Sequence, residues 1–147
     1  MNRPILTPAE CRLYPNKKGC ELFEDFTFVA VDGKTYTIPA PFWCDGGSIP
    51  KMFWQVTFSP FDMDVIDEFI KHDWFYTSHT ADKKIADATL NSGLTQKGAT
   101  VKAALVDKAV KLFGESSWKL DATDRLYMRQ LRQIIIESGR NPADYCL

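Results

Sequence analysis

After Glu21 the chain reads Leu-Phe-Glu-Asp-Phe-Thr-Phe-Val-Ala-Val, with Phe26, Phe28 and Ala30 alternating with Thr27, Val29 and Val31. That period predicts a sheet strand from Glu21 to Val31 with both faces at least partly covered. Asp32-Gly33 is a tight-turn dipeptide, and Lys34 to Ile38 has the threonine and tyrosine content of a returning strand. Pro39-Ala40-Pro41 ends the hairpin, because proline has no N–H to give a ladder. The first twenty residues are proline-rich and irregular, apart from a short strand expected near Arg12 to Tyr14.

Beyond residue 60 the period changes from two to that of a helix. Asp62 or Asp64 is placed to cap a helix running to about Ser78, whose apolar rows begin with Val65, Ile66, Phe69 and Ile70. Continued at helical spacing, one row reaches His72 and Tyr76 and the other reaches Asp73. A second helix follows from Asp82 to Leu94, interrupted at Asn91-Ser92-Gly93, with Ile85, Ala86, Thr89 and Leu90 as its packing stripe. Asp87 lies off that stripe. A third helix is expected from Ala99 to Phe113, with Val101, Leu105, Ala109 and Leu112 on one face and Gly114 as its stop. Asp121 caps a fourth, where Tyr127, Leu131, Ile134 and Ile135 recur before Gly139; Asn141 to Leu147 reads as a loose tail or contact segment. The expectation is one α+β domain over residues 1–147: an N-terminal β-hairpin or small antiparallel sheet, then about four packed helices. Its core spans 21–118, followed by a C-terminal helix at 121–139 and a short tail.

Composition narrows the class without naming it. A chain of 147 residues, 45% hydrophobic and 13% aromatic, can bury a real core. Eighteen basic against 19 acidic side chains, for a net charge of -1, give no general reason to expect nucleic acid. No apolar run is long enough for a transmembrane segment, and Met-Asn-Arg-Pro-Ile-Leu lacks the core of a signal peptide. The four cysteines form no Cys-x-x-Cys pair; Cys11 and Cys20 flank a turn signal, and free thiols are expected over a disulfide.

The chemistry concentrates in two places. Phe42-Trp43-Cys44-Asp45-Gly46-Gly47-Ser48-Ile49-Pro50 is a glycine-rich loop walled by aromatic residues, in which adjacent glycines let another group approach the main chain. The apolar helix that carries His72 and Asp73 turns a titratable pair inward, which costs several kcal/mol unless the pair is hydrogen-bonded or binds a metal. The bland readings are a tight turn for the loop and a satisfied knot for the pair. Bland readings are also taken for His79 as a solvated surface residue, Lys83-Lys84 as solvated charge, and Trp43, Trp54 and Trp74 as core. Ile134-Ile135-Ile136 covers more than one helix face and hints at an oligomer contact.

Taken in order, Phe42-x-Cys44-Asp45-Gly46-Gly47-Ser48-Ile49-Pro50, His72-Asp73-x-x-Tyr76, Ala86-Asp87, Gly93, Lys111-Leu112-Phe113-Gly114 and Trp118 resemble an uncharacterised domain family. That family is encoded mainly by tailed bacteriophages and prophages. The resemblance runs from about Phe26 to Trp118 and implies a phage origin without an established activity. Its members typically carry threonine where this chain has Cys44. With no signal peptide or transmembrane segment, the expectation is the host cytoplasm or the phage virion, with other virion proteins or a cell-envelope substrate as partners. The His-Asp-x-x-Tyr helix also resembles that of secreted and parvoviral phospholipases. By position, that likeness implies His72 as general base, Asp87 orienting it and Tyr76 bracing it. It also implies Asp73 as a calcium ligand, with the loop residues Asp45, Gly46, Gly47 and Ser48 completing the ion's site. Two further enzymatic readings stay open: Ser48 or Cys44 as a nucleophile, and a metal-dependent site of His72, Asp73 and Asp87. Against all of these stands a non-enzymatic virion or accessory protein, in which His72, Asp73, Asp45 and Asp87 form a structural hydrogen-bond knot.

Overall fold

The computed structural model describes residues 9–14, 19–44 and 64–147, without the side chain of Phe113. The alternation after Glu21 serves two sheets rather than one. Strand β1 (Cys11–Tyr14) pairs antiparallel with β2 (Gly19–Leu22), whose other edge takes β5 (Trp43–Cys44). Strands β3 (Phe26–Val29) and β4 (Thr35–Ile38) form a separate hairpin. The strand expected from Glu21 to Val31 is therefore broken at Phe23 to Asp25. Asp25 holds the corner: its Oδ1 accepts from the backbone N–H of Ala40 and from Arg140, each at 2.9 Å, and its Oδ2 accepts from Tyr145.

The β3–β4 hairpin keeps its predicted register logic. Phe26 faces Ile38 and Phe28 faces Tyr36, all four buried, while the Thr27 and Thr37 hydroxyls meet at 2.9 Å on the other face. Gly33 makes the turn at φ 78°, a conformation that favours glycine.

Among the described residues four α-helices follow: α1 (Ile66–Ser78), α2 (Lys83–Gln96), α3 (Thr100–Trp118) and α4 (Ala122–Glu137). The expected α+β class is the observed one. Asp82 caps α2 and Asp121 caps α4 as predicted, the latter in a capping box with Asp124. Asp64 does not cap α1, whose N-cap is Val65 with no side-chain hydrogen bond; Asp62 lies outside the described residues. Neither glycine ends or interrupts a helix. Gly93 and Gly114 sit inside α2 and α3 because each faces a side chain that leaves no room for a Cβ.

Helix α1 is the centre of the molecule. One side packs with both sheets and α4 around Ile70, Trp74 and Phe75; the other packs Phe69 against Leu90 and Leu94 of α2 and Val106 of α3. The face expected to bury α3 is the wrong one in three of its four positions. Val101, Leu105 and Leu112 are exposed, and the smaller Ala103, Val106, Ala109 and Val110 are buried. Small side chains let α3 approach α2 closely, and that contact decides the face. Of the α4 positions expected to pack, Leu131 and Ile135 are buried, whereas Ile134 is exposed. The tail is docked rather than loose: Pro142–Tyr145 forms a short 3-10 helix and buries Tyr145. No helix among the described residues is long and apolar enough to cross a membrane.

Candidate functional site

Four residues on α1 and α2 converge because both helices place partners one turn apart. His72 and Tyr76 lie at i and i+4 on α1, and Lys83 and Asp87 do so on α2. Asp87 is the hub. Its Oδ1 accepts from His72 Nε2 at 2.9 Å and from the Tyr76 hydroxyl at 2.7 Å, and its Oδ2 accepts from Lys83 Nζ at 2.7 Å. Burial alone would raise the Asp87 carboxyl, but hydrogen bonds from His72, Lys83 and Tyr76 together hold it below the usual aspartate range. The carboxylate is thus ionised, and His72 Nε2 carries the hydrogen that points at it. In the neutral ring the lone pair then belongs to Nδ1. Burial, and then the bond to Asp87, push the Tyr76 hydroxyl far above its ordinary value, so it stays a donor.

Neighbouring rings fix this geometry. The His72 ring lies 4.2 Å from that of Tyr76, and Trp118 meets Tyr76 edge-on at 5.0 Å. A Cβ on Gly114 would stand 2.7 Å from the Tyr76 hydroxyl, so α3 can pass here only with glycine. His79 is not a solvated surface residue. It caps α1 in a left-handed conformation, stacks on Trp118 at 3.8 Å, and its Nε2 meets the Trp118 carbonyl at 2.7 Å.

Asp73 points to a different neighbourhood. Its Oδ2 accepts from the Cys44 thiol at 2.9 Å. Cys44 lies opposite Cys20 in the β2–β5 ladder, and the hydrogen bond between these thiols, with burial, raises Cys44 well above its usual range. Cys44 is therefore a protonated donor, and a thiol in that state is a weak nucleophile. No cysteine is in a disulfide.

Sequence reasoning brought together His72, Asp87 and Tyr76, and the structure does join these three. It places Asp73 beside Cys44 rather than in that cluster. Asp45, Gly46, Gly47 and Ser48 lie outside the described residues. Among the described residues the Asp73 carboxylate meets the Cys44 thiol, and no group of three acidic, cysteine or histidine residues could hold a metal. Lys83 was missed, having been read as solvated charge, although Lys83-x-x-x-Asp87 is an i,i+4 pair. Beside Asp87 and Lys83 opens a groove of about 480 Å³, walled further by Lys84, Asp107 and Lys111.

Residues 20–110 match a family described as a protein of unknown function, DUF1353. The chain belongs to this family. No curated protein and no solved structure matches it. The DUF1353 segment holds β2 to β5, α1, α2 and the first half of α3, so His72, Asp73, Tyr76, Lys83 and Asp87 all fall inside it. Gly114 and Trp118, which pack against Tyr76, lie beyond its end.

Proposed function

We propose that this DUF1353 protein is a phage-encoded hydrolase-like protein in which His72 is the general base, Asp87 its orienting carboxylate and Tyr76 the brace of that carboxylate. The observation that carries this reading is the 2.9 Å contact of His72 Nε2 with an Asp87 oxygen that Tyr76 also holds. A carboxylate fixed in this way sets the tautomer, so Nδ1 is the atom that would take a proton from water. It also stabilises the imidazolium formed. Lys83 keeps Asp87 ionised through the cycle. The phage association and the phospholipase-like chemistry rest on likeness of motif, with a lipid or cell-envelope substrate as the class to test.

A second reading has its own support. The His72 side chain has no exposed surface, and both Asp87 oxygens are already engaged, as in a structural knot within a virion or accessory protein. The two separate in one experiment. Wild type, His72→Gln and Asp87→Asn are assayed on phospholipid vesicles and on peptidoglycan, with calcium and with a chelator, and each is melted. Turnover by wild type that falls about 10²- to 10⁴-fold in His72→Gln at near-equal stability supports the enzyme. No turnover in any protein, with both variants markedly less stable, supports the knot.

A further inference from the structure

On the far side of α1 from Asp87, a groove of about 340 Å³ runs between the end of α1 and the flank of α4. Its floor is apolar, from Leu120, Met128 and Leu147, and Thr77 and Ser78 close the α1 side. Its other edge is formed by three arginine side chains. Arg125, Arg129 and Arg132 recur at i, i+4 and i+7 on α4, so they share one face over about 10 Å of helix. Among the described residues none of the three is in an ion pair or side-chain hydrogen bond, in contrast to Arg140 on Asp25.

An apolar trough of this size edged by three unpaired arginines is complementary to one kind of small molecule. We propose that it binds a free single-chain amphiphile with an anionic head, such as a fatty carboxylate. The chain lies on Leu120, Met128 and Leu147, and the carboxylate is held by the guanidinium row. Arginine suits that head because its planar fork can meet both oxygens of a carboxylate. The carbonyl end of α1 carries the negative pole of its dipole at Thr77 and Ser78, which directs the anionic head towards α4. The volume lies in the range of small-molecule sites and is too small for a bilayer to enter. This site is independent of any role of His72.

The test uses the whole chain with decanoate, decanol, acetate and anionic phospholipid vesicles as probes, read by calorimetry and by amide shifts. Decanoate is expected to bind, to move amides of residues 77, 78, 120 and 128, and to weaken as salt is raised. Acetate and decanol are expected to bind at least about tenfold more weakly. Replacing Arg125, Arg129 and Arg132 together by Gln should weaken decanoate at least about tenfold while leaving decanol unchanged. All three are exposed, so the fold should survive, and a melting curve checks this. Equal binding of decanol and decanoate, shifts confined to other faces, or an unaffected triple variant overturns the proposal. So does binding of vesicles on this face without decanoate binding, which would make it a membrane-contacting surface.

Discussion

Asp87 accepts three hydrogen bonds from three side chains, and the consequence is an acid-dependent stability. Its carboxyl is held below the ordinary aspartate value of 3.8 by His72, Lys83 and Tyr76 against the opposing effect of burial. A depressed pKa means the unfolded chain binds the proton first, so this stability is present above pH 3.8 and is lost as pH falls through the lower folded value. In urea titrations at several pH values, wild type should exceed Asp87→Asn by about 1–3 kcal/mol at neutral pH. The gap should close in strong acid; one that does not change with pH would mean the charge of Asp87 is immaterial. Gly114 makes a sharper residue-scale case. Glycine to alanine inside a helix ordinarily stabilises by about 0.5–1 kcal/mol. Here the new methyl would meet the Tyr76 hydroxyl at 2.7 Å and Lys83 at 3.3 Å, so Gly114→Ala should instead destabilise, by about 1–3 kcal/mol. Tyr76→Phe removes the oxygen that clashes, and in that background the penalty should shrink. An undiminished penalty would place the clash elsewhere.

Between elements, the α1–α2 crossing is set by another close approach. Glu68 is buried, its Oε1 receives Lys71 Nζ at 3.0 Å, and its Oε2 has no hydrogen-bond partner among the described residues. That oxygen is pressed against Gly93, where an added Cβ would come within 1.9 Å of it. Burial raises the Glu68 carboxyl, so its protonated form favours the fold, and this contribution declines as pH rises from 4.5 through the higher folded value. Gly93→Ala should therefore cost about 1–3 kcal/mol, and Glu68→Ala in the same chain should recover part of it. Additive losses in the double variant would deny the contact. This crossing also shows what was legible in the sequence. The helical rows found α1, α2 and α4 and turned His72 inward, because apolar period depends only on local spacing. Asn91-Ser92-Gly93 and Gly114 read as a break and a stop because glycine's local preference is visible, whereas Glu68 and Tyr76 pressing on those glycines are distant in sequence. The α3 face was misread for the same reason. Its large apolar residues set the sequence pattern, but close approach to α2 selected the small ones. The His72–Asp87–Tyr76 cluster was legible as a set of residue types, and Lys83 was not, since lysine at a helix start usually stays in water.

At the scale of the molecule, the end of the chain is tied back to its beginning through one carboxylate. From the corner that separates the two sheets, Asp25 accepts from the Ala40 N–H, the Arg140 guanidinium and the Tyr145 hydroxyl. Arg140 closes the circuit by donating to the Ala40 carbonyl at 2.7 Å. Burial, with the bond to Asp25, pushes the Tyr145 hydroxyl up to about 12, so it remains a donor at every physiological pH. Arg140, at 29% side-chain exposure, is reached by water, so its ion pair alone contributes little. Removing Asp25 has a larger effect, because it leaves buried Tyr145 and the Ala40 N–H without an acceptor. Asp25→Ala should cost about 2–4 kcal/mol, and Arg140→Gln under about 1 kcal/mol. Hydrogen exchange distinguishes a clasp from a surface decoration. In Asp25→Ala the amides of residues 142–147 and of β4 should lose protection together, while those of α2 and α3 keep theirs, since the Asp25 hydrogen bonds described go to Ala40, Arg140 and Tyr145. Equal loss across all four helices would mean that the tail and the core unfold as one unit, and that the corner at Asp25 is no more local than the packing around Trp74.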